Sequence, residues 1–253
     1  MKKKAITSIA SLGGILGVWH LASMRAPSMF PPPGVVFSLM IEVALERDYN
    51  GRRGLYHLRV TFTRIFVITA VAFGISVVVG ILMGTRPAVE KPLSTVLPVW
   101  LTVPSIVVVL FSMVLFDFST LSVLVAVTFV TTPFGIVNTY QGAKNVDADL
   151  LEMASVFELS QSKIWREIYI PSLFPYLFAS SRYLLGMIWK IVLLAETFGV
   201  TTGVGSMIRF WYSQGELTTM LSYFMMFAIT VLTIEYLLLA PAERRLFAYR
   251  NSG

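Results

Sequence analysis

From Leu93 to Ala143 the chain carries a single charged residue, Asp117. A soluble domain of ordinary size cannot hide so long an apolar stretch, because its surface shrinks only slowly as the chain grows. A bilayer can, and a helix needs about 20 mostly apolar residues to cross one. The stretch therefore reads as two crossings, about Leu93 to Phe116 and Leu121 to Tyr140, with Asp117 in the tight turn between them. Four further runs meet the same criterion, at about Ala5 to Ser23, Val60 to Gly84, Leu173 to Phe198 and Leu217 to Ala240. Composition agrees: hydrophobic residues make up 56% and charged residues 13%, where soluble proteins run near about a quarter charged. The expected fold is all-α, a polytopic membrane protein with six transmembrane helices.

Between these runs the punctuation is proline and charge. Pro27 and Pro31-Pro32-Pro33 end the first run, since proline lacks the donor and fixes its own dihedral. Leu21-Ala22-Ser23-Met24 offers no small-x-small cleavage site, so the first run is expected to be a retained helix rather than a secretory signal. Gly34 to Arg47 has the spacing of a helix lying on the membrane surface, and Asp48 to Arg53 reads as a polar loop. Pro98, Pro104 and Pro133 lie inside apolar runs, where neighbouring helices can satisfy the freed carbonyls. Three parts follow: 1–32 as a first helix with its proline-rich connector, 33–242 as the main transmembrane domain, and 243–253 as a polar tail.

The net charge of +6 invites a nucleic-acid reading. Its distribution argues otherwise, because the basic residues flank apolar runs and form no stripe with interleaved aromatics. Basic residues concentrate in cytoplasmic loops of membrane proteins. With a cytoplasmic amino terminus, the inside holds eleven (Lys2, Lys3, Lys4, Arg86, Lys91, Lys144, Lys163, Arg166, Arg244, Arg245, Arg250) and the outside six (Arg25, Arg47, Arg52, Arg53, Arg59, Arg209). The expectation is a multi-pass membrane protein with both termini cytoplasmic. The chain has no cysteine and two histidines, His20 and His57, which read as interfacial or packed side chains rather than metal ligands. No catalytic constellation and no metal-ligand set is visible.

One polar segment, 147–171, stands apart. Asp147 or Asp149 can accept the free amide protons of a first helical turn, and Leu150, Ala154 and Phe157 then share one face, with Glu152 and Ser155 away from it. Ser160 can begin a second short helix carrying Ile164, Trp165 and Ile168, and Pro171 suits the first turn of the span that follows. Asp147, Asp149, Glu152, Glu158 and Glu167 outnumber Lys144, Lys163 and Arg166 here. That balance disfavours an anionic lipid surface and favours a groove on a partner protein.

The segment resembles the EAA loop of binding-protein-dependent ABC importer permeases, whose pattern is Glu-Ala-Ala, three residues, Gly, nine residues, Ile-x-Leu-Pro. Glu152, Ala154, Ile168 and Pro171 fit at the full spacing, Met153 stands between the first two, and Ile170 replaces Leu. Glu158 stands where the pattern has Gly, and puts the bend between the two short helices in question. Pro33-Gly34, the Arg64 helix, Thr102-Val103-Pro104, Asn138-Thr139-Tyr140-Gln141-Gly142, Ala195-Glu196 and Gly203-Val204-Gly205 occur in the order seen in the nitrate, sulfonate and taurine branch of these permeases.

The resemblance implies a type I ABC importer permease, a non-catalytic transport subunit working as a homodimer with two cytoplasmic ATPase subunits and an extracytoplasmic solute-binding protein. Glu152, Met153, Ala154, Phe157, Glu158, Ile168 and Pro171 would form the ATPase-coupling element. This chain has no Gly-x-x-x-x-Gly-Lys-Ser/Thr loop, so ATP and Mg would be held by the partner ATPase. Small anions, sulfonates or heterocyclic precursors are the implied cargo.

Lys190 and Glu196 lie within the fifth run, where charge is costly and often functional. They are candidate positions on the translocation path, and their spacing of six places them on different helix faces. Arg64 and Arg182 are expected to reach toward the interface. The competing reading is a stand-alone secondary transporter, a class that often shows an internal repeat and several intramembrane acids; neither is visible. A membrane enzyme would need a polar constellation that the runs do not offer.

Overall fold

The computed structural model describes residues 2–27 and 29–241. The expected tail, with Arg244, Arg245 and Arg250, lies outside the described residues. Eleven α-helices follow one another with no strand among the described residues: α1 (Lys2–Arg25), α2 (Pro33–Leu45), α3 (Gly54–Thr85), α4 (Pro87–Thr102), α5 (Ser105–Leu115), α6 (Thr120–Lys144), α7 (Ala148–Val156), α8 (Gln161–Ile164), α9 (Ile170–Gly199), α10 (Val204–Ser213) and α11 (Leu217–Ile234). Four rods are long and apolar enough to cross a membrane: Gly54–Thr85, Thr120–Lys144, Gln161–Gly199 and Leu217–Leu237. The first expected run falls on α1.

The third expected span is not a single rod. α4 and α5 meet at 90°, and the break comes at Val103-Pro104, while Pro98 sits inside α4. Leu97 is buried in a cluster with Met83 and Ile136, against which Trp100 packs. This cluster holds the chain helical on both sides of Pro98. Beyond it, Pro104 cannot donate and the residue before it is driven to extended backbone. Val103 sits at ψ 121. After α5, Asp117 and Phe118 adopt positive φ, 54° and 49°, in the expected turn.

The expected second short helix also differs. α8 runs through a π turn (Trp165–Tyr169) directly into α9 as one 39-residue rod. Ile170 donates to the Trp165 carbonyl, one position wider than an α-helix. The next residue is Pro171, whose ring clashes with the carbonyl four residues back, so the ladder loosens just before it. A second π turn, Glu235–Leu239, likewise ends two positions before a proline, Pro241.

The described residues form two compact units, one of 61–200 and the other of those before 61 and after 200. In the first, α6 is the central post, packed on α4, α5 and α9. α3 meets α6 through small residues. Ser76 Oγ donates to the Thr132 carbonyl at 3.0 Å. A Cβ at Gly80 or Gly84 would come within 2.6 Å of Thr139 Cβ or 2.3 Å of Ala143 Cβ. Small residues let backbones approach where no hydrophobic force drives helices together.

In the second unit α2 packs on α11. Ser222 Oγ donates to the Val36 carbonyl at 3.0 Å, and Val36 is fully buried. The helix expected on the membrane surface is thus set against protein on one face, with Val35, Ile41 and Leu45 exposed on the other. His57, expected as a packed or interfacial side chain, is buried, with Nε2 at 2.8 Å from Asp48 Oδ2 and Nδ1 accepting from the Gly203 N–H at 3.2 Å. Gly203, at φ 107°, turns the chain into α10, a helix absent from the sequence reading.

Candidate functional site

α7 begins with a side-chain cap: Asp147 Oδ1 accepts from the Asp149 N–H at 2.9 Å. It ends with two paired bonds, Glu158 N–H to the Ser155 carbonyl at 3.1 Å and Leu159 N–H to the Ala154 carbonyl at 2.9 Å. This double closure is the Schellman ending, which wants a left-handed residue, usually glycine, after the cap. Glu158 occupies it at φ 49°. The bend that the Gly-to-Glu change put in question is therefore made, with glutamate in the conformation that glycine favours.

The hairpin around α7 has its own small core. Val146, Ala154 and Ile168 are buried together, with Leu151, Leu159, Ile164 and Tyr169 packed against them. Ala154 thus faces inward, toward the start of the long α8–α9 rod. Phe157 does not share its side. It is 71% exposed, and Val156 (76%), Met153 (47%) and Leu150 (39%) are exposed with it. Glu152, Glu158 and Pro171 are exposed as well, while Ile168 is 7% exposed. The single face expected for Leu150, Ala154 and Phe157 is divided between two, one anchoring the helix and the other offering apolar groups outward. Ser160 makes no side-chain cap; its carbonyl accepts from Lys163 and Ile164.

Just before this hairpin, Lys144 Nζ lies 2.8 Å from Glu90 Oε2, and the Tyr140 hydroxyl donates to Glu90 Oε1. Glu90 stands in the first turn of α4 and Lys144 in the last turn of α6. Each charge opposes the partial charge of its own helix end. The bent pair α4–α5 is thereby tied to the residue from which the α7 hairpin departs.

The charged residues of α9 separate. Lys190 is exposed, with Nζ 5.5 Å from the Trp189 ring centre. Glu196 is fully buried, and its carboxylate accepts from Arg64 Nη1 at 2.7 Å and from Thr61 Oγ1 at 2.8 Å. Arg64 Nη2 also donates to Thr120 Oγ1 at 2.8 Å, at the first residue of α6. Arg64 does not reach toward an interface as expected, and Arg182 lies partly buried in the body of α9. Helical spacing does not by itself pair Arg64 with Glu196. The signal available was two opposite charges in otherwise apolar runs, which hydrocarbon forces toward each other.

The chain can now be set beside known proteins. The taurine transport system permease protein TauC of Escherichia coli (strain K12) is 25% identical over 221 residues, covering 85% of this chain and 78% of that protein. The bicarbonate transport system permease protein CmpB of Synechocystis is 27% identical over 247 residues, covering 91% of this chain and 88% of that one. A crystal form of the inward-facing MetNI methionine ABC transporter has a similar fold, with TM-score 0.62 at 17% identity over 78% of this chain and 94% of that one. Residues 76–246 match the family described as "Binding-protein-dependent transport system inner membrane component". An all-helical membrane scaffold and this match over most of its length agree: the chain belongs to that family, as the permease of an ABC importer.

Proposed function

We propose that this permease forms the path for a small oxyanion and that α7 is the lever through which a cytoplasmic ATPase moves it. One observation carries the reading. α7 is closed at both ends and pinned through Ala154, yet it leaves Met153, Val156 and Phe157 exposed. A buried aromatic anchor of the Phe157 kind dominates small interfaces once a partner covers it. Glu152 and Glu158 add charge at the rim, and Ile168 of the rod packs on Ala154, so a push on α7 passes through that contact toward Pro171 and α9. The Glu90–Lys144 link offers a second route, into the bent pair.

The assembly in this reading is two copies of the chain, two ATPases that bind ATP and Mg, and an external solute-binding protein. Both termini and α7 face the cytoplasm. The cargo class follows from the relatives, whose names specify taurine and bicarbonate; both are small molecules with an anionic oxygen group. Lys190, exposed on α9, is the candidate to meet such an anion, whereas Glu196 is committed to Arg64.

Phe157→Asp and Glu152→Lys test the lever. The subunit should insert and purify normally but lose its ATPase on co-purification, and ATP-driven uptake should fall at least tenfold. An ATPase retained at wild-type level in both variants would falsify the lever. Gradient-driven uptake by the chain alone would instead point to a secondary transporter.

A further inference from the structure

We propose that the loop 47–53 and the first turns of α3 form a binding site for an oxyanion. A cleft of about 490 Å3 opens there, lined by Arg47, Arg52, Arg53 and Arg59 together with Tyr56, and no carboxylate is among its lining residues. The loop assembles these charges against their repulsion. Arg47 and Arg53 stand opposite each other in an antiparallel bridge, an arrangement that is unfavourable for like charges.

Asp48 imposes it. Its Oδ1 accepts from the Asn50 and Arg52 N–H groups at 2.8 Å each, and its backbone N–H donates to the Arg52 carbonyl at 2.8 Å. Gly51, at φ 70°, closes the turn on the Asp48 carbonyl. The Asp48 carboxylate is 1% exposed, is held by His57 and does not line the cleft. Arg52 is set in place by Tyr56: its guanidinium lies 4.7 Å from the ring centre, and Nη1 donates to the hydroxyl at 3.0 Å.

The cleft also lies at the start of a 32-residue helix, whose amino-terminal pole favours negative charge. Guanidinium forks match the paired oxygens of sulfonate, carboxylate and phosphate, and one such group would relieve the Arg47–Arg53 repulsion. That chemistry can arrive as a free solute or as a phospholipid phosphate. The site stands on this geometry alone and holds whether or not α7 docks on an ATPase.

The test uses the full chain with its ATPase in phosphatidylcholine nanodiscs. Calorimetric titration with sodium sulfate and sodium methanesulfonate probes the free anion. Retention of phosphatidylglycerol in native mass spectrometry probes the lipid. We expect saturable binding of at least one probe, weakened tenfold or more in the double variant Arg47→Gln/Arg53→Gln and unchanged in Arg86→Gln. Arg47→Lys/Arg53→Lys, which keeps the charges and loses the forks, should fall between. The probe that is lost identifies the source. Wild-type protein that binds neither probe, or a glutamine double variant that binds both as tightly as wild type, overturns the site. So does a variant that keeps both probes and loses only capture of an acidic protein. ATPase association, measured on the same samples, reports on α7 separately.

Discussion

Arg64 Nη1 on α3 donates to Glu196 Oε1 on α9 at 2.7 Å, and the two side chains are 3% and 0% exposed. Neither charge could lie there alone. Burying a single ion in such surroundings is expensive, and the pair persists because each neutralises the other while Thr61 and Thr120 take up further hydrogen-bonding capacity. The pair joins three helices, α3, α6 and α9, at one point.

Breaking it from one side should therefore be severe. Glu196→Leu or Arg64→Met should each cost about 3–5 kcal/mol, because the surviving charge is left buried without its counter-ion. The double variant, apolar on both sides, should recover most of that loss. Thermal melting in detergent checks this. Equal damage from the single and double variants would mean that the pair is not the coupled unit described.

Glu158 offers an opposite case, a change that should stabilise. A left-handed non-glycine residue costs about 1–2 kcal/mol, so Glu158→Gly should slow hydrogen exchange across the α7 amides. Glu158→Val, β-branched at the same φ of 49°, should speed it. Exchange rates that follow charge rather than backbone freedom would contradict this account of the bend.

The α3–α6 crossing gives a steric prediction. Gly84→Leu places its Cβ where Ala143 already stands, at 2.3 Å, whereas nothing lies within 4 Å of a Cβ at Gly74. Gly84→Leu should lower the melting midpoint by an overpacking penalty of about 1–3 kcal/mol, or more if the helices separate. Gly74→Leu, on the same helix, should be tolerated. Fluorescence-detected size exclusion during a heating series distinguishes the two.

Much of the architecture was legible because hydrophobic length is a local property. α3, α6, α9 and α11 follow the apolar runs to within six residues at each end, and Asp147 caps α7 because a carboxylate two residues from a free amide needs no distant help. The bend in the α4–α5 pair was only half legible. Two prolines were visible, Pro98 and Pro104, but the one that breaks the rod depends on Leu97 and Trp100 being held against neighbouring helices. The facing of α7 has the same origin. Helical spacing groups Leu150, Ala154 and Phe157, while Val146 and Ile168, brought in by the hairpin, choose which of them is covered.

Taken alone, the amino-acid order determined a helical membrane chain, its long apolar rods and the place of its capped polar hairpin, since each depends on residues within a turn or a span of one another. Tertiary structure alone decided that Arg64 meets Glu196 across 132 positions, and that Ala154 turns inward while Phe157 stays outside. Those outcomes depend on which surfaces become neighbours, and neighbours in space are set by close packing that no local pattern encodes.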